Sequence, residues 1–150
     1  TLLVNVTIMG VGVSLALLYV GNASLAGKIW PAILLIFFEL TIVTAVAIMF
    51  SSFSTPALSA LLTFFVFIIG NFSTSLRELA QGMNSSIARG IFEGVYYVMP
   101  NLSHFSFITE TSNGMTPPLS MVGGSILYAV VYDVILLTIT VLVFTRRNFK

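Results

Sequence analysis

The sequence has 150 residues, of which 57% are hydrophobic and only 7% are charged, and its mean hydropathy is +1.06. Soluble domains carry roughly a quarter of charged residues, so the composition excludes a water-facing globule and predicts an integral membrane protein. A net charge of +1 excludes a nucleic-acid partner, because no basic face is available to neutralise phosphates. With no cysteine and a single histidine, disulfides are excluded, and neither a metal site nor another cofactor is expected.

Four apolar stretches predict an all-α polytopic membrane protein with a single transmembrane domain over residues 1–150. About 20 apolar residues at about 1.5 Å each cross the ~30 Å hydrocarbon core of a bilayer. The predicted spans are residues 2–20, 30–50, 57–76 and 119–144. Because the chain begins inside the first of them, we expect it to be the C-terminal part of a longer protein that has further helices upstream.

The first two spans are marked by their small and aromatic residues. Gly10 and Ser14 lie four residues apart, a spacing that favours close packing of membrane helices. Residues 21–29 are predicted to form a loop, since they contain two glycines. Trp30 and Pro31 mark the start of the second span, because Trp favours the headgroup level and Pro favours the first helical turn.

Two carboxyl groups fall inside predicted spans, Glu39 in the second and Asp133 in the fourth. Helical rise places both about 13–18 Å from one face of the membrane. All six lysines and arginines lie in loops or at chain ends, so no span supplies a basic partner. Since a charge there costs about 2.5–3.5 kcal/mol, both residues are candidates for the translocation path. The alternative is a structural role, in which hydrogen bonds to Thr41, Thr44 or Thr138 hold helices together.

A short polar turn joins the second and third spans. It consists of Ser51, Ser52, Phe53, Ser54 and Thr55. Pro56 follows at the first turn of the third span, and the hydroxyl groups of the turn are expected to cap that helix.

Residues 77–118 are the one long segment outside the spans. Within it, Ser85 to Met99 is predicted to form an amphipathic helix lying in the membrane interface, with apolar residues on one broad side. Arg89 and Glu93 stand at i and i+4 on the other side, and Pro100 ends the helix. His104 is interpreted as a residue of the turn-rich connector that follows.

The positive charges predict the orientation. Arg146, Arg147 and Lys150 directly follow the last span, and such dense charge favours the cytoplasmic side. With four spans, the turn after the second span is then cytoplasmic and the segment 77–118 is external.

Three stretches together carry a family resemblance. They are FSSFSTPALSALLTFFVFIIG (residues 50–70), YYVMPNLSHFSF (96–107) and YAVVYDVILLTITVLVFTRRNFK (128–150). Their sequence and order resemble the C-terminal part of an ABC transporter permease of the six-helix, type-two (exporter-like) kind. The resemblance implies the last four of six helices, with an external re-entrant or interfacial segment between the final two.

The resemblance also implies partners. In this family two permease subunits pair in the cell membrane, and each engages a cytoplasmic ATP-binding cassette ATPase whose ATP binding and hydrolysis move the pair. The main coupling helix would lie upstream of Thr1, which leaves the 51–55 turn as a secondary ATPase contact. The sequence has no G-x-x-x-x-G-K-[ST] phosphate loop, so ATP hydrolysis is expected on the partner and no catalytic residue is expected here.

Two other function classes remain open. The chain could belong to a secondary transporter or channel with Glu39 and Asp133 as an ion or proton site, or to a membrane scaffold that transports nothing. An intramembrane aspartyl protease is disfavoured, because its chemistry needs two aspartates and Asp133 is the only one in the sequence.

Overall fold

The computed structural model describes residues 1–73, 75, 78–79, 86–107, 111 and 113–147, and of residues 88, 98 and 147 only the backbone. Every secondary-structure element in these residues is helical, so the predicted all-α class is confirmed for this part of the chain. The elements are α1 (Leu2–Tyr19), α2 (Ala23–Lys28), α3 (Trp30–Ser51), α4 (Pro56–Asn71), α5 (Ser86–Val98), a 3₁₀ helix (Leu102–Phe105) and α6 (Leu119–Arg147).

Within the described residues, three stretches of helix are long and apolar enough to cross a membrane, which indicates a membrane protein. They are Leu2–Tyr19, Ala23–Ser51 and Leu119–Arg146. The apolar helix α4 has 16 residues, or about 24 Å of helical rise, which is shorter than the hydrocarbon core. The predicted third span, 57–76, reaches beyond it: α4 ends at Asn71, and Leu76 lies outside the described residues.

The chain folds into two compact units, each made of two stretches of sequence. The first unit comprises Thr1–Thr41 and Phe105–Val131, and the second comprises Ile42–His104 and Tyr132–Lys150. The helices α3 and α6 therefore each contribute residues to both units.

In the first unit, α1 packs closely on α3 at a glycine. Gly10 is buried, and a Cβ atom there would lie 2.9 Å from Cδ1 of Ile33. The Ser14 hydroxyl donates to the carbonyl of Gly10 at 2.8 Å, within its own helix. Of the predicted small-residue pair, Gly10 thus makes the close approach to α3.

The predicted loop over residues 21–29 is wrong, because α2 occupies most of it. Ala26 is buried, so this short helix has an apolar contact to stabilise it. Lys28 stands in its last turn, where a positive charge is favourable near the helix C-terminus. The turn before α2 includes Val20 and Gly21, and the φ of Gly21, +83°, is strained for residues other than glycine.

In the second unit, α4 buries small and polar residues and exposes aromatic ones. Its buried positions are Ser59, Thr63, Val66 and Gly70, which recur every three or four residues and form one stripe. Phe64 and Phe65 are more than half exposed on the remaining surface. This pattern reverses that of a helix in a soluble protein, and it suits a hydrocarbon solvent.

The helix α5 lies within one residue of the predicted amphipathic helix at each end, and its place in the membrane interface stays a prediction. Arg89 Nε donates to Glu93 Oε1 at 3.0 Å, at the predicted i, i+4 spacing. Both side chains are about half exposed, so this ion pair contributes little to stability. Ile87 and Ile91 form an exposed apolar edge on the same helix. His104 lies in the 3₁₀ helix that follows.

Candidate functional site

The two carboxyl groups predicted to lie on a translocation path are both half-buried in long helices. Glu39 is on the part of α3 that belongs to the first unit, and Asp133 is on the part of α6 that belongs to the second. The Oδ1 atom of Asp133 is shielded from solvent. Both residues have interaction partners. That the two carboxyl groups share one polar feature stays a prediction.

Two of the three threonines suggested as hydrogen-bond partners of these carboxyl groups donate to other acceptors. Thr41 Oγ1 donates to the carbonyl of Phe38 at 2.7 Å, and Thr138 Oγ1 donates to the carbonyl of Val134 at 2.7 Å. A hydroxyl group has a single proton, so neither can also donate to a carboxylate. Each can still accept a hydrogen bond from a protonated carboxyl group. Thr41 and Thr138 could therefore support the structural alternative only as acceptors, and the third threonine, Thr44, has an interaction partner of its own.

In the turn between α3 and α4, backbone amides donate hydrogen bonds to the last carbonyl groups of α3. The amides of Ser52, Phe53 and Ser54 donate to the carbonyls of Ile48 and Phe50 at 3.0–3.2 Å. The buried Ser52 side chain donates to the carbonyl of Met49 at 2.7 Å. These bonds occupy carbonyls that the last turn of a helix otherwise leaves without partners, and they define the turn.

The predicted capping of α4 by the turn hydroxyls is wrong. Thr55 is the N-cap residue, but its side chain makes no capping hydrogen bond within the described chain. Ser54 Oγ instead pairs with Ser59 Oγ at 2.7 Å, and the amide of Ser59 donates to the carbonyl of Thr55 at 2.8 Å. Pro56 has no N–H group, so the first turn of α4 has one fewer donor to satisfy.

The surface of the turn is dominated by one aromatic ring. Phe53 is 49% exposed and packs edge to face against Phe50, with ring centroids 5.7 Å apart. Ser51 and Thr55 are the other exposed members of the turn, and both are small and polar. An exposed ring held in one position by a neighbouring ring is the kind of group that anchors protein contacts.

Sequence reasoning missed a polar cluster at the end of α4. Ser73 Oγ and Ser103 Oγ both donate to Oδ1 of Asn101, each at 2.5 Å. Ser73 is almost completely buried, with 1% of its surface exposed. The only signal in the sequence was the Asn-x-Ser spacing after Pro100, which is common in local turns and does not identify a distant partner.

Next to this polar cluster, the backbone of Pro100 packs closely against the backbone of Gly70 in α4. A Cβ atom at Gly70 would lie 2.7 Å from the carbonyl oxygen of Pro100 and 2.8 Å from Cγ of Leu102. Leu102 is fully buried. The chain that leaves α4 at Asn71 thus returns to the end of the same helix at Pro100, and we name residues 100–103 the return segment.

The Asn101 amide oxygen is expected to be essential for this cluster. Asn101→Ala should destabilise the protein by about 1–3 kcal/mol, because two hydroxyl groups in a partly buried site lose their acceptor. Asn101→Asp keeps an acceptor oxygen and should lose less. Thermal unfolding in detergent measures the difference, with the exposed Asn113→Ala as the matched control. Equal unfolding temperatures for the two alanine variants would contradict the assignment.

The chain matches no protein-family model, no curated protein and no solved structure.

Proposed function

We propose that this chain is the transmembrane permease subunit of an ATP-driven (ABC) transporter of the cell membrane. It forms part of the translocation path and moves with ATP binding and hydrolysis on a separate ATPase subunit, and it pairs with a second permease subunit. In this proposal α4 is the third of the chain's four membrane spans, and α5 lies in the outer interface with Ile87 and Ile91 towards lipid.

The return segment is the observation that carries the proposal. The connector leaves α4 at Asn71 and meets the same end of the helix again at Pro100, where Gly70 admits the backbone. A segment that stays on one face of the membrane after a span remains near the end of the span that it has left. This is the placement that the resemblance implies for the external segment before the last helix.

The exposed surfaces of the helices support a membrane subunit with further partners in the bilayer. The window of α6 that can cross a membrane is only 11% buried, and that of α1 only 6%. Large apolar side chains such as Val130, Val134 and Ile135 are about half exposed. Apolar surface of this extent is covered by lipid or by another membrane subunit.

Purification from native membranes tests the proposal. The tagged full-length protein should bring down an ATP-binding subunit, and the complex should hydrolyse ATP in a vanadate-sensitive manner that this chain modulates. Transport driven by a proton gradient, with no ATPase attached, would contradict the proposal and favour a secondary transporter. A complex with neither activity would favour a scaffold.

The 51–55 turn is proposed as a contact for that ATPase, with Phe53 as its anchor. We expect Phe53→Ala to lower transport-coupled ATPase activity about five-fold, the effect of losing about 1 kcal/mol at an interface. Phe72→Ala is the matched control, since Phe72 is 59% exposed directly after the opposite end of α4. An equal loss in both variants would show that exposed aromatic residues act through lipid contact, and would remove Phe53 from the interface.

A further inference from the structure

The first compact unit contains a cavity that the proposed transport mechanism does not use. Its volume is about 550 Å³. It lies between the start of α1, the first turns of α3 and the start of α6, with Pro117 also in its wall. Ligand sites in proteins typically measure roughly 300–1,000 Å³, so this cavity is large enough for a molecule and not only for water.

The walls of the cavity fit hydrocarbon. Aliphatic and aromatic side chains form nearly all of them, including Val6, Phe37 and Val122. Thr7 supplies the one hydroxyl group of the lining, and that group donates to the carbonyl of Leu3 at 2.7 Å. Because this proton is already used inside α1, the hydroxyl group cannot donate it to a bound molecule. A polar molecule in the cavity would therefore lose hydrogen bonds to water with little in return.

A positive charge lies on the chain that leads into the wall of the cavity. Lys28 is half-buried, and its Nζ atom donates to the carbonyl of Gly114 at 3.1 Å. Lys28 is two residues from the wall residue Trp30, and Gly114 is three residues from the wall residue Pro117. Lys28 is also the only lysine or arginine in residues 1–41 and 105–131. An ammonium group has three N–H donors, of which the carbonyl takes one.

We propose that this cavity binds an acyl chain of an anionic phospholipid, with the phosphate of its headgroup at Lys28. The cavity matches a lipid molecule group by group. Its hydrocarbon walls suit the acyl chain, while the nearby ammonium group of Lys28 and the partly exposed Trp30 suit the headgroup region. The inference depends on the chain lying in a bilayer, and it holds whether or not the chain transports anything.

Fluorescence of Trp30 tests the proposal directly, because Trp30 lines the cavity and is the only tryptophan in the sequence. The full protein is reconstituted in phosphatidylcholine vesicles that contain either brominated phosphatidylglycerol or brominated phosphatidylcholine. We expect the anionic quencher to associate about five-fold more tightly, the ratio that about 1 kcal/mol from one lysine produces. A Trp30→Phe variant gives the background signal.

Four variants separate the contribution of the headgroup from that of the acyl chain. Lys28→Gln should reduce the ratio between the two lipids to about one, Lys28→Arg should keep it, and Arg89→Gln, which removes a charge in the other compact unit, should leave it unchanged. Val122→Phe should fill part of the cavity and reduce quenching by both lipids. Equal quenching by the two lipids in the unmodified protein would overturn the proposal. Quenching that is unchanged in Val122→Phe would also overturn it. Quenching that falls as the protein-to-lipid ratio rises would overturn it as well, because it would show that a second copy of the chain occupies the cavity.

Discussion

Gly70→Ala is expected to destabilise the protein by about 1–3 kcal/mol, the usual cost of forcing an atom into a closely packed site. The new Cβ atom would lie 2.7 Å from the carbonyl oxygen of Pro100, which is backbone and cannot rotate away. Leu102, on the other side, is fully buried. Alanine is favoured over glycine in a helix by about 1 kcal/mol, so a net loss would show that the contact outweighs helix propensity.

Thermal unfolding in detergent, followed by the loss of monodisperse protein, measures this effect. Gly12→Ala in α1 and Gly124→Ala in α6 are matched controls, because no other atom lies within 4 Å of a Cβ at either position. Both controls should be as stable as the unmodified protein or slightly more stable. If Gly70→Ala behaved like them, the return segment would not pack against α4, and the main support for the permease architecture would be lost.

Glu39→Gln is expected to lower the transport rate about ten-fold or more while assembly remains normal. Glutamine keeps the size of the side chain, but it cannot carry charge or exchange a proton, and an NH2 donor replaces one of the two acceptor oxygens. Loss of a hydrogen bond to a charged group costs about 1.5–3 kcal/mol, which corresponds to a rate ratio of about 10–160. The measurement is substrate flux in vesicles that contain the full complex, normalised to the amount of assembled protein.

Companion variants separate the charge of Glu39 from its hydrogen bonds. Glu39→Leu removes both, so it should reduce transport at least as much and lower stability as well. Asp133→Asn makes the equivalent change in α6 and shows whether the two carboxyl groups contribute alike. Normal flux through Glu39→Gln would exclude the charge from the mechanism and leave only a structural role for the residue.

Two of the threonines that the sequence suggested as hydrogen-bond partners in that structural role donate to other groups. Thr41 and Thr138 were reasonable partners by type and position, since each follows a carboxyl-bearing residue within two turns of the helix. In the structure both donate to carbonyls of their own helices. A hydroxyl group in an apolar helix readily takes the nearest backbone acceptor, and this local bond competes with any partner on another helix. Spacing alone could not show which bond forms.

Local signals located the long helices well. The predicted starts at Leu2, Trp30 and Leu119 agree with the structure, and α5 was placed to within one residue. These elements were predictable because continuous apolar character, an aromatic–proline start and a helical period are properties of neighbouring residues. The loop at 21–29 was predicted wrongly, because a glycine within a short helix was read as a break while the burial of Ala26 could not be seen.

The sequence by itself determined the class of the protein: too few charges for a water-facing surface, and apolar helices long enough for a bilayer. Only the tertiary structure decided what those helices enclose and hold. The contact of Gly70 with Pro100, the sharing of Asn101 by two serines, and the cavity beside Lys28 all join residues that are distant in the chain. Such contacts depend on how the chain returns in three dimensions, and no periodicity or propensity along one segment encodes them.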